Sequence, residues 1–78
     1  MLSGMDRTNL ECRLARADKH IADGVRHIAQ QTGIIRGMER LGQDVRLSRL
    51  ILQTFEANHG LYVAERDKLL SELNAPRP

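Results

Sequence analysis

From Leu10 to Leu73 apolar residues return mostly every three or four positions, and the phase is reset at Gly42-Gln43-Asp44. That spacing is the period of a helix with one side turned to a partner, and no stretch alternates as a strand would. Taking Ile21 as reference and advancing about 100° per residue, Leu10, Leu14, Ala17, Val25, Ile28, Thr32 and Ile35 share its side. A second stripe follows the interruption: Leu47, Ile51, Phe55, Asn58, Tyr62, Glu65, Leu69 and Leu73. The expected fold is all-α, an antiparallel two-helix hairpin.

Local signals place the boundaries. Thr8 and Glu11 have the spacing of a capping box, and Ser3 with Asp6 offers an earlier start. Gly42 is suited to the left-handed conformation that ends a helix, and Arg40 to the negative end of its dipole. Asp44 can cap the next helix. Asn74 closes that helix, and Ala75-Pro76-Arg77-Pro78 cannot extend it. The expected organisation is a flexible segment 1–7, helix 1 over about 8–41, a turn at 42–44, helix 2 over about 45–74, and a disordered tail 75–78. Asn58-His59-Gly60 resembles a helix end. The stripe keeps its phase from Phe55 through Tyr62 to Leu69, so a continuous helix is expected there.

Two helices of about 30 residues are each about 45 Å long. A short connection makes them neighbours. Pairing across the turn puts Ile35 near Ile51, Thr32 near Phe55, Ile28 near Asn58, Val25 near Tyr62, Ala17 near Leu69 and Leu14 near Leu73. Ala17 and Gly24 allow close approach, with Tyr62 filling the space beside Gly24.

A hairpin of 78 residues buries little, and chains this short usually need a staple or a partner. Cys12 is the only cysteine, so no intrachain disulfide is available. Helix 2 carries Leu50 and Leu61 on one flank of its stripe and Leu52, Val63 and Leu70 on the other. That arc is wider than one neighbour can cover. These five residues are the expected interface. The expected partner is a second copy, giving a homodimeric four-helix bundle, with a larger homo-oligomer or another protein as the remaining possibilities. Asn58 and Glu65 interrupt the apolar stripe. Glu65 fits a seam edge in water, while Asn58 fits either that or a register-setting polar residue.

Chemical candidates are few. His20 and His27 lie two turns apart, about 10.5 Å, too far to share one metal ion within a helix. They are expected on the flank of helix 1, reaching water and carboxylates such as Glu65 or Glu72. His59 falls near residues 27–28, which brings a His27–His59 pair within conceivable reach. No phosphate loop, paired-carboxylate cleft or nucleophile triad is present, and a two-helix chain has few ways to form a pocket. No enzyme activity, cofactor or metal is expected, and Cys12 lacks the base a nucleophile needs. The Gly33–Gly37 spacing is that of packed membrane helices, but charge surrounds it, and no run approaches the ~18 apolar residues of a span. The start, "MLSGMDR", lacks a secretory core, so a cytoplasmic protein is expected. The formal charge of +2 is spread among both signs. Arg13, Arg16, Lys19 and Arg26 could line one face and bind nucleic acid weakly and salt-sensitively. Interspersed acids and the lack of stacking aromatics argue against that alternative.

The stretches "ADKHIADGVRHIAQQ" and "MERLGQDVRLSRLILQTFEANHGLYVAERDKLLSEL" resemble short uncharacterised proteins of alphaproteobacteria. Those share the first helix, a Gly-x-Asp turn and a second helix with a Thr-Phe-Glu stretch, here Thr54-Phe55-Glu56. The resemblance covers most of residues 15–73 and implies no activity, ligand or catalytic residue. The function expected is that of a small non-catalytic, self-associating protein–protein interaction or regulatory module.

Overall fold

A computed structural model describes residues 3–75. It contains two helices, α1 (Ser3–Arg40) and α2 (Arg46–Leu73), packed antiparallel as a rod of 61 × 15 × 14 Å. α1 has 38 residues and α2 has 28, so their lengths are about 57 and about 42 Å. The expected equality fails because α1 begins at Ser3. Thr8 therefore lies inside a helix that is already under way, and most of the segment expected to be flexible is helical. α2 runs unbroken through Asn58-His59-Gly60. Of the expected tail, residues 76–78 lie outside the described residues.

The turn is held by backbone geometry. Gly42 has φ +68°, the left-handed conformation that glycine adopts without a Cβ clash. Its N–H donates to Glu39 O (3.1 Å) and the Gln43 N–H donates to Met38 O (2.9 Å). These are the two bonds of a Schellman motif, which satisfy carbonyls the helix end leaves free. Asp44 acts one residue earlier than a true N-cap. Val45 occupies the cap position without a side-chain bond, while Asp44 Oδ1 accepts the Arg46 N–H at 3.0 Å.

The buried stripe of α1 is Leu10, Leu14, Ala17, Ile21, Gly24, Ile28, Gln31, Ile35 and Met38, all buried or half-buried. That of α2 is Val45, Ser48, Leu52, Phe55, His59, Tyr62, Arg66, Leu69 and Leu73. Both alternate steps of three and four residues without a slip, the period of a left-handed coiled-coil seam. The expectation differs here. Stepping 100° per residue drifts about 20° per heptad from such a seam, and so it admitted Val25 and Thr32 in place of Gly24 and Gln31. Val25 is in fact 55 % exposed and Gln31 only 8 %. On α2 the expected Leu47, Ile51 and Asn58 are exposed, and Ser48, Leu52 and His59 take the inner positions.

Steric fit sets the register. A Cβ on Gly24 would lie 2.8 Å from His59 Nδ1, so the imidazole occupies the space the missing side chain leaves. Counting outward from that contact brings Leu14 level with Leu69, Ala17 with Arg66, Ile28 with Phe55 and Ile35 with Ser48. The expected pairing was about one helical turn out of step, and His59 rather than Tyr62 abuts Gly24. At Gly24 and Ala17 a small residue of α1 stands level with a long one of α2, whereas at Ile35 the small residue is Ser48 of α2. Leu69 is the most deeply buried side chain among the described residues, at 1 % exposure. Gln31 Nε2 donates to Ser48 O at 3.0 Å, which satisfies the buried amide.

Candidate functional site

The outward face of α2 is built by the same period as its seam. Leu47, Leu50, Thr54, Ala57, Leu61 and Ala64 again step by three and four, and all six are exposed. Leu47 and Leu61 are each 70 % exposed and Leu50 58 %. With seven residues per two turns, these positions lie almost opposite the α1-facing seam. Thr54 is the only polar side chain among them, and its hydroxyl already donates to Leu50 O at 3.1 Å. The stripe turns polar beyond Ala64, at Lys68 and Ser71. Isolated exposed leucines are ordinary on a protein surface, whereas a contiguous row is the mark of an interaction site.

Of the five residues expected at an interface, Leu50, Leu61 and Leu70 are exposed. Leu52 lies half-buried in the seam with α1, and Val63 half-buried beside it. Asn58 is exposed on the flank of the outward row, where a polar group remains hydrated. The wheel that singled out these flanks missed Leu47, because it assigned Leu47 to the inner stripe. The uninterrupted heptad of Leu47, Leu50, Thr54, Ala57 and Leu61 was the signal that would have found it.

The histidines gather in one cleft of about 210 Å³ on a side of the rod, lined by His20, Asp23, Gly24, His27, Phe55, Asn58, His59 and Tyr62. They do not reach out to Glu65 or Glu72. His20 stacks on Tyr62, with ring centroids 4.3 Å apart and planes 11° from parallel. His27 tilts against Phe55 at 5.5 Å. Each ring is apolar surface for a flank imidazole to cover. His59 Nδ1 is buried against Gly24 with no hydrogen-bond partner. Among the described residues no group of three or more His, Cys, Asp or Glu is placed to hold a metal ion.

The basic residues of α1 are shared with acids. Lys19 and Arg26 both pair with Asp23, and Arg13 lies 3.8 Å from Glu65 across the hairpin. The bond from Lys19, followed by the charges of Lys19, Arg26 and His27, lowers the Asp23 carboxyl below its ordinary value. On the other side Arg49 bonds Glu39 at 2.6 Å. These pairs lie at the surface, where water and salt screen them. Cys12 is exposed. No described helix is long and apolar enough to cross a membrane.

Comparisons with family models, with curated proteins and with solved structures find no match, so the architecture stands as an all-α helical hairpin with no family assigned.

Proposed function

We propose that this chain is a small non-catalytic interaction or regulatory module that works by self-association, two hairpins joining into a four-helix assembly. The reading rests on one observation: the outward row of α2 keeps leucines 58–70 % exposed in register over four turns. Among the described residues no further helix covers them. The rod shape leaves ample surface for such a contact. A compact chain of this length exposes about 4,800 Å², whereas this one exposes 6037 Å². The surplus exceeds the roughly 800 Å² that each partner contributes to a standard interface.

Sedimentation equilibrium at 5–100 µM tests the proposal; roughly this range spans the affinities of modest interfaces. A mass of two chains, falling to one on dilution, is the expected result. A folded single chain across the whole range overturns it.

A further inference from the structure

Resting on that reading, we infer that the partner is a second copy docked antiparallel, α2 against α2, through Leu47, Leu50, Thr54, Ala57, Leu61 and Ala64. Two outward faces are available to α2. One combines Leu47, Thr54 and Leu61 with Leu50, Ala57 and Ala64; the other combines the same three with Ile51, Asn58 and Glu65. The second would bury an amide and a carboxylate facing their own copies, which desolvation disfavours. The first buries only apolar groups and a threonine whose hydroxyl is already bonded.

Direction follows from size and charge. An antiparallel twofold axis between Thr54 and Ala57 sets Leu47 against Ala64 of the second copy, Leu50 against Leu61, and Thr54 against Ala57. Large side chains then meet small ones at the ends and leucines meet between them, as interdigitated packing requires. The same axis sets Arg46 level with Glu65 of the second copy and near its Asp67, and brings Lys68 beside Asp44, against one like-charge approach of Asp44 to Asp67. Each attraction occurs twice. A parallel pairing in register would oppose Arg46 to Arg46, Asp67 to Asp67 and Lys68 to Lys68, all like charges. Because the outward row lies almost opposite the α1 seam, the assembly is a layer with the two α2 helices central and the two α1 helices outside. It is not a closed square bundle.

Thiol cross-linking reads the pairing directly. In a Cys12→Ser background, one variant carries Ala57→Cys and another Leu47→Cys; both positions are exposed in the hairpin, so circular dichroism should show both folded. With a short bismaleimide, the Ala57→Cys chain links to its copy. The Leu47→Cys chain does not, because its two thiols stand about 25 Å apart along the axis. Linking at both positions would show a parallel pair. Linking at neither, with a dimeric mass, would place the contact elsewhere. Either result overturns this inference while leaving self-association intact, whereas a monomeric mass overturns both. Leu61→Glu, which places a charge in the proposed contact, should weaken dimerisation at least about 100-fold without unfolding the hairpin. An unchanged dimer would also refute the pairing.

Discussion

The two faces of α2 contradict the simplest rule of burial. The inner face, which packs on α1, carries Ser48, His59 and Arg66 among its apolar residues. The outer face, which meets water in the hairpin, carries Leu47, Leu50 and Leu61. The inner face still holds the larger apolar set, Val45, Leu52, Phe55, Tyr62, Leu69 and Leu73, so hydrophobicity selects the side that packs on α1. Shape decides where polar groups enter it. Gly24 leaves a hollow on α1 that His59 occupies, and the half-buried Arg66 brings a long apolar stem to the seam while its head reaches Asp67 at 3.1 Å. An intramolecular seam can tolerate polar groups where sterics match, and it leaves a second apolar row on the opposite face for contact with another molecule.

The largest expected effect contrasts the two faces. Leu69→Ala should destabilise the hairpin by about 3 kcal/mol, independent of protein concentration. Leu61→Ala should leave the hairpin within about 0.5 kcal/mol, yet lower the melting temperature at high concentration, where self-association contributes. Thermal melts at two concentrations separate these outcomes. Equal losses from both would mean the outer face is buried in the hairpin itself.

A smaller effect probes the fit that sets the register. Gly24→Ala gains helix propensity but drives a methyl into His59, whereas in a His59→Ala background the same change meets open space. The two substitutions should therefore couple by about 1–2 kcal/mol in a denaturant double-mutant cycle. Additive effects would mean the Gly24–His59 contact does not fix the register.

Gln31→Leu asks whether polarity in the seam is required or merely accommodated. It exchanges one hydrogen bond to Ser48 O for apolar contact, so stability should change by less than about 1 kcal/mol in either direction. A loss several times larger, in urea titration, would assign Gln31 a specifying role.

The smallest effect lies at the turn, which holds both faces in phase. Bonds from the Arg46 side chain and then its backbone N–H lower the Asp44 carboxyl below its ordinary 3.8. A carboxyl depressed in the folded state adds stability that is present above the unfolded value and lost as pH falls through the folded one. Melting temperature should therefore drop slightly below pH 3.8, and Asp44→Asn should flatten that part of the profile. An identical slope in the variant would remove Asp44 from the turn's energetics.

Much of this was legible in the residues. The hairpin follows from two stripes around Gly42, and the unbroken passage through Gly60 follows from the phase of Phe55, Tyr62 and Leu69. The side position of His20 and His27 was readable from a wheel. Their stacking on Tyr62 and Phe55 was not, because ring contacts depend on which residue of the other helix stands level. Register escaped for a related reason. The expected and observed stripes of α2 share Phe55, Tyr62, Leu69 and Leu73, so the pattern within one helix could not separate them. Gly24 against His59 decides between them, and that is a property of two helices together. The interaction surface was half legible: Leu50, Leu61 and Leu70 were singled out, while Leu47 was assigned to the interior and Leu52 to the exterior.

The tight Schellman turn also governs how quickly the rod can assemble. Met38 and Val45 are separated by a few residues, whereas Leu10 and Leu73 enclose nearly the whole chain, so loop-closure entropy is least beside Gly42 and grows toward the open end. Assembly that starts at the bend and zips outward meets each later contact with its partner already close, the low-contact-order route that gives helical proteins their speed. Damage at Gly42 should then register as slower folding, and damage at Leu14 or Leu69 as faster unfolding.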